Sequence, residues 1–244
     1  MKINKFKHSA MEARTRLMKI IDNLQPLMNT AEIRKRLHLD ADSREWQDVE
    51  IMAEQAAALI QPKCAYKACY IQQKGNDAVM VEGVRLESRV LRKNLESAER
   101  IFPFVVTIGA QLEEAARARD DYLEQYYLDT IANVALQDAI QSVLARLQDQ
   151  YRIDKLSYMN VGSLEDWPLA QQRPLFSLLG DVEGAIGVRL APSMLMHPGK
   201  TESGIFFPTE VTFFNCQLCP RTECPSRKTD FDREMARDYG LTDE

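Results

Sequence analysis

The sequence predicts one α+β domain with a helical N-terminal extension. Three observations carry this. No glycine precedes Gly75, and residues 9–60 are rich in Ala, Met, Leu, Glu, Arg and Gln, all good helix formers. Past Pro62 the chain turns to strand-like runs separated by the turn signal Lys74-Gly75-Asn76-Asp77. A long helical stripe over residues 110–151 then leads into Tyr158–Phe207, which holds six of the ten glycines and four of the ten prolines. Glycine allows positive φ and close backbone approach, and proline fixes φ and ends helices. That stretch therefore consists of turns of set shape, and turns on a rigid scaffold are where binding residues gather.

Taken in order, Ser9 is placed to cap a helix running to about Met28, with Leu17, Ile20, Ile21 and Leu24 on one face. Thr30 caps a short helix through Leu37. Ser43 caps the next, which carries Val49, Met52, Ala53, Ala56, Leu59 and Ile60 at helical spacing and stops before Pro62. Cys64–Gln72 and Ala78–Val84 form a β-hairpin. Ser88 opens a short helix, and Phe102–Ile108 is a buried-type strand ending at Gly109. One long helix or two consecutive ones follow, with Ala132, Leu136, Ile140, Val143, Leu144 and Leu147 as the apolar stripe. Tyr122, Tyr126 and Tyr127 belong to its core or rim. Lys155–Met159 is a strand, Leu169–Leu179 a helix interrupted near Pro174, and Ile186–Leu190 and Ile205–Phe214 are strand candidates. A charged helix closes the chain over about Asp230–Tyr239.

Composition removes several functions. Net charge is −5 with both signs interspersed, so the basic stripe that sequence-independent nucleic-acid binding needs is missing. No apolar run approaches the roughly 20 residues of a membrane span. The first residues lack the apolar core of a secretory signal, and a cytoplasmic protein is the expectation. GxSxG, P-loop and HExxH patterns are absent. Glu113 and Glu114 sit in the first turn of a helix, where the helix dipole favours acids without any catalytic role.

Three of the five cysteines crowd into Cys216-Gln-Leu-Cys219-Pro-Arg-Thr-Glu-Cys224. In a reducing compartment such spacing points to metal binding before disulfides. Zinc and iron–sulfur clusters both use such thiolate sets, and the spacing does not choose between them. Nearby Arg221, Arg227 and Lys228 favour thiolates. Cys64, Cys69 or His197 is the candidate fourth ligand; alternatively a three-cysteine iron–sulfur cluster keeps one iron open to an external ligand. Cys64 and Cys69 stand five apart on a strand and face opposite sides, so both cannot join one centre. At least one of them is a small apolar strand residue.

Several motifs in order carry a resemblance. Thr107-Ile108-Gly109-x-x-Leu112-Glu113, the long helix after it, Asp166-Trp167-Pro168-Leu169, and Ser193-x-x-Met196-x-Pro198-x-x-x-x-Ser203-Gly204 resemble the activation domain of cobalamin-dependent methionine synthase. The chain is most similar to stand-alone members of that family. The resemblance covers about residues 31–215, leaving 1–30 as the helical extension and 216–244 as a cysteine-rich metal-binding tail.

The resemblance implies helices around a twisted antiparallel sheet, S-adenosylmethionine in a shallow groove, and docking over the cobalamin of a corrinoid-binding protein. There a cobalt centre re-reduced by a flavodoxin- or ferredoxin-type donor is remethylated. Carried over residue by residue, the ligand-binding positions are Tyr158, Gly162, Ser163, Ser203, Gly204 and Phe206. Tyr158 stands where the family has an arginine, and Ser163 and Phe206 stand where it has tyrosines. The ligand carboxylate thereby loses a bidentate cation, and charge-assisted pairs are about twice as strong as neutral ones. S-adenosylmethionine binding is expected to be weakened. No DxHxxG cobalamin motif occurs, so any corrinoid comes on a separate protein or methyltransferase. The cysteine tail resembles those of stand-alone relatives.

Three functions fit these residues. The first is an accessory protein that supports reductive activation of a corrinoid protein through a cysteine–metal centre. The second is an S-adenosylmethionine-binding methyl donor. The third is a zinc-binding interaction protein without catalysis.

Overall fold

A computed structural model describes residues 17–25, 28–224 and 226–241. The expected N-terminal helix over 9–28 falls partly outside them. Where it is described it is replaced by strand β1 (Lys19–Ile21), which lies along the edge of β2. Helix-forming composition yields here to a free strand edge: Ile21 is buried and Ile20 exposed, the alternation of a strand. Helix α1 (Thr30–Leu37) is capped by Asn29, one residue before the expected Thr30; the Asn29 side chain accepts from Glu32 N at 3.0 Å. Helix α2 (Arg44–Ala57) is capped as expected by Ser43, which accepts from Trp46 N at 3.1 Å.

The strand read over Cys64–Gln72 is broken at Lys67-Ala68 into β2 (Lys63–Tyr66) and β3 (Cys69–Lys74). The hairpin forms between β3 and β4 (Ala78–Val81), and β5 (Val84–Glu87) pairs with β4. Helix α3 (Arg89–Asn94) starts at Ser88 as expected, and β6 (Arg100–Thr107) is buried along its length after Arg100. The segment over 110–151 resolves into two helices, α4 (Gln111–Arg117) and α5 (Tyr122–Tyr151). On α5 the apolar stripe is buried, while Tyr122 and Tyr126 sit on the exposed rim.

Strand β7 (Leu156–Asn160) leads to a loop and α6 (Gln172–Leu179). Pro174 falls in the first turn of α6, where a missing N–H costs no helical bond. A strand was expected over Ile186–Leu190. Instead α7 (Val182–Ile186) ends at Gly187, whose φ is +76°, and only Arg189–Leu190 is extended, as β8, pairing with β9 (Met196–His197). The last long strand is β10 (Thr201–Pro208), offset from the expected Ile205–Phe214. Helix α8 (Arg233–Asp238) matches the expected tail helix.

Among the described residues β1–β7 and β10 form an eight-stranded antiparallel sheet. Strand β6 is its spine. Strands β2 and β3 lie end to end along one edge of β6, and β10 followed by β7 lies along the other. Successive side chains alternate between faces. Phe102, Phe104, Val106, Tyr158 and Phe206 pack with α1, α2 and α5. Ile101, Met159, Ile205 and Phe207 pack on the opposite face with α3, α6 and the C-terminal Leu218 and Ala236. Cys64 joins the first cluster and Cys69 the second, both fully buried. They are apolar strand residues, and neither lines the cavity described next. No helix among the described residues is long and apolar enough to cross a membrane.

Candidate ligand-binding site

Strands β7 and β10 are antiparallel neighbours, with Tyr158 opposite Phe206 and Asn160 opposite Gly204. Beyond Asn160 the chain turns tightly. Val161 N donates to Ser203 O at 3.3 Å, and Gly162 N to Trp167 O at 2.8 Å. Gly162 is required twice. Its φ is +81°, and a Cβ there would lie 2.4 Å from a methyl of Leu169. The Asp166-Trp167 motif holds this turn from behind. Asp166 accepts from Ser88 Oγ at 2.5 Å, Val90 N at 2.9 Å and Arg89 Nε at 3.1 Å, and Trp167 is wholly buried. Opposite, Glu113 accepts from Gly199 N at 2.8 Å and pairs with Arg117. The acid explained from sequence by the helix dipole alone thus also positions the loop that follows β9.

The C-terminal segment closes the third side. Phe213 N donates to Ser157 Oγ at 2.9 Å, and Asn215 Nδ2 donates to Asn160 Oδ1 at 3.1 Å. A short 3₁₀ turn, Asn215–Leu218, carries Cys216. From there the chain wraps around the Arg227 guanidinium. This group donates to Cys216 O at 3.3 Å, Cys219 O at 3.2 Å and Thr229 O at 3.1 Å, and also to Arg221 O. A planar cation with four hydrogen bonds to carbonyls holds the loop in shape.

The three sides enclose a cavity of about 760 Å³. Tyr158, Gly162, Ser163, Ser203, Cys216, Cys219 and Cys224 all line it, as does His197. Two expected ligand positions do not. Gly204 lies within the sheet, where a Cβ would stand 2.2 Å from Met159 O. Phe206 is buried and stacked on Phe104, with ring centroids 4.0 Å apart. Gly204 is closed off by the β7 backbone and Phe206 by the Phe104 ring, so neither residue reaches the opening.

Polar residues that the sequence reading passed over dominate the cavity floor. Glu202 accepts from Gln137 Nε2 at 2.9 Å and from Asn160 Nδ2. Burial raises its carboxyl above the ordinary glutamate range, against the opposing pull of Lys228. Lys228 Nζ donates to Tyr158 OH at 2.5 Å and to Gln137 Oε1 at 2.6 Å. Burial lowers its pKa, while the charge of Glu202 raises it. The Tyr158 phenol is pushed up by burial first, then by Glu202 and Cys216. Three buried polar atoms of lining residues have no protein partner: Ser203 Oγ, Gln172 Oε1 and Asn215 Oδ1. Leaving such a group unsatisfied costs about 1–3 kcal/mol, a cost that a hydrogen-bonding partner from the cavity would relieve. The signal available in the sequence was Glu202, an acid one residue before the Ser203-Gly204 motif.

The three tail thiols share the cavity without building a metal cage. Among the described residues no group of three or more His, Cys, Asp or Glu side chains is arranged to hold a metal ion. Cys64 and Cys69 are wholly buried in the two core clusters and do not line the cavity with the tail thiols, so neither is placed as their fourth ligand. The expected iron–sulfur cluster or zinc finds no support in this donor set, and Arg227 already fixes the loop.

No protein-family profile matches the chain, and no curated protein matches it. Thirteen chains of known structure do. One of them is the crystal structure of the MetH reactivation domain bound to AdoHcy. It aligns with a TM-score of 0.60 and 15% identity, over 83% of this chain and 82% of that one. The likeness establishes the fold: helices around an antiparallel sheet, in the arrangement of that reactivation domain.

Proposed function

We propose that the cavity binds an S-adenosyl amino acid of the S-adenosylmethionine or S-adenosylhomocysteine kind, and that the chain serves a corrinoid-dependent methyl-transfer system as an accessory module. The observation that carries this is the set of unpartnered Ser203 Oγ, Gln172 Oε1 and Asn215 Oδ1 around one opening. They lie in a fold shared with a domain bound to AdoHcy. The opening's 760 Å³ sits within the roughly 300–1,000 Å³ usual for small-molecule sites. The two amide oxygens accept hydrogen bonds and the hydroxyl can donate or accept, which suits the amino and hydroxyl groups of an adenosyl moiety. S-adenosylmethionine, when bound, supplies an electrophilic methyl group. The chain's own residues orient the nucleoside through Ser203, Gln172 and Asn215 and keep the Gly162 turn open beside it. The methyl acceptor is a corrinoid on a partner protein.

Equilibrium titration with S-adenosylhomocysteine tests the binding half. We expect saturable one-site binding, weakened roughly 2- to 10-fold by Ser203→Ala, the loss of one hydrogen bond. No binding overturns it. The corrinoid half is tested by adding the chain to a reduced corrinoid protein with S-adenosylmethionine and following the cobalt absorption bands. Methylation that proceeds equally with and without the chain refutes that role.

A second reading is favoured by one observation: Cys216, Cys219 and Cys224 line the same cavity. In it the three thiolates would hold an iron centre, which would supply the one-electron reduction of the cobalt on the corrinoid protein and be refilled by a flavodoxin- or ferredoxin-type donor. Iron retained by anaerobically purified protein, and lost on replacing the three cysteines by serine, supports this reading; zinc in its place does not, since zinc carries no electrons. Metal-free protein that is fully active in the corrinoid assay rejects it.

A further inference from the structure

Resting on the reading of the cavity as an adenosyl site, we infer that the C-terminal segment is part of the recognition machinery: Lys228, with Glu202, forms a subsite for the zwitterionic α-amino-acid end of the ligand.

The argument is one of unmet valence. An ammonium has three N–H donors. Two of those on Lys228 are spent on neutral acceptors, Tyr158 OH and Gln137 Oε1. The third has no acceptor at hydrogen-bond distance among the described residues. A cation drawn out of water is offset best by an anion in direct contact; here its direct partners are a phenol and an amide, and Glu202 acts on it only through space. A ligand carboxylate is the missing complement. Glu202 is the converse case. Each of its oxygens accepts one amide bond, from Gln137 or Asn160, and a carboxylate can accept about four bonds in all. Its remaining lone pairs suit a ligand ammonium. Both side chains line the cavity, so one opening presents a cation and an anion to a zwitterion.

The position of Lys228 is prepared before any ligand arrives. Its neighbour Arg227 is locked by four carbonyls. Its own N–H donates to Cys216 Sγ at 3.5 Å, and its Nζ stands 5.1 Å from the centre of the Tyr158 ring. Pre-ordering of this kind lowers the entropy lost on binding. The tail thus brings back, from about seventy residues away in sequence, a positive charge to the position where Tyr158 carries none.

The experiment compares two nucleosides on the full chain by calorimetry: S-adenosylhomocysteine, and 5′-methylthioadenosine, which lacks the amino-acid end. Wild type is expected to prefer S-adenosylhomocysteine. Lys228→Ala weakens that ligand roughly 10- to 100-fold, as loss of a bond to a charged group does, and leaves 5′-methylthioadenosine within about twofold. Lys228→Arg restores part of the preference, which a purely structural role would not produce. Equal binding of the two nucleosides by wild type, or equal weakening of both by Lys228→Ala, overturns the inference while the adenosyl reading stands. Failure of both nucleosides to bind wild type sinks both.

Discussion

Asp166 belongs to one of the motifs that carry the family resemblance, yet it does not line the cavity. It ties the turn after β7 to the start of α3. Replacing it by alanine removes three hydrogen bonds to a carboxylate whose side chain is only 7% exposed. The Arg89 bond is at the surface, with that side chain 57% exposed, and such pairs contribute about 0–1 kcal/mol. The bonds from Ser88 Oγ and Val90 N are worth about 1.5–3 kcal/mol each as bonds to a charged acceptor. They share one oxygen and do not add fully. We expect Asp166→Ala to cost about 3–4 kcal/mol. Asp166→Asn keeps one acceptor oxygen for Ser88 and Val90 and loses the charge, and is expected to cost about 1–2 kcal/mol. Urea denaturation of the three proteins measures both, with unchanged slopes as the check on two-state behaviour. An alanine variant within about 0.5 kcal/mol of wild type, the range of neutral surface changes, refutes the reasoning. So does an asparagine variant as costly as alanine.

Other predictions follow from the same contacts. Gly204→Ala places a methyl group 2.2 Å from the Met159 carbonyl; backbone cannot step aside as a side chain can, and the overpacking should cost about 1–3 kcal/mol by denaturation, whereas a neutral result refutes the close approach of β10 to β7. Burial raises the Glu202 carboxyl above its ordinary 4.5, so the folded chain keeps that proton to higher pH than the unfolded one. Stability therefore falls as pH rises from about 4.5 through the folded value. Glu202→Gln lacks this loss, and its stability relative to wild type should climb with pH over that window; a pH-independent difference contradicts the burial. Thiol titration of native protein should give three fast-reacting groups, Cys216, Cys219 and Cys224, with Cys64 and Cys69 reacting only after unfolding. Five equally reactive thiols would rule out the placement of β2 and β3.

Most of the architecture was legible because local chemistry and tertiary context agree. Ser43 and Ser88 cap where they were read to cap, and the long apolar stripe of α5 packs as a stripe must. The failures fall where context overrode propensity. Residues 19–21, Lys-Ile-Ile, sit within a helix-forming stretch but are themselves mostly β-branched and lie on the open edge of β2. Around Ile186 the apolar run looks like a strand, but Asp181 Oδ1 accepts from Gly184 N at 2.8 Å and starts a helical turn. The site was half legible. Gly162 declared itself by the turn around it, and Ser203 by its motif. Gln137, Glu202 and Lys228 come from a helix, a strand and the tail, and nothing in the linear order links them. Three cysteines close in sequence suggested a metal, but nearness along the chain does not fix where side chains converge. In the structure Arg227 gathers that loop through four carbonyls.

The central claim is that β7, β10 and the C-terminal segment form one binding site. Hydrogen–deuterium exchange with saturating S-adenosylhomocysteine tests it most directly. Slowed exchange in both Asn160–Ser163 and Cys216–Lys228 is the predicted result. Bound ligand that leaves the tail amides unchanged, or protects only residues remote from Ser203, would contradict it.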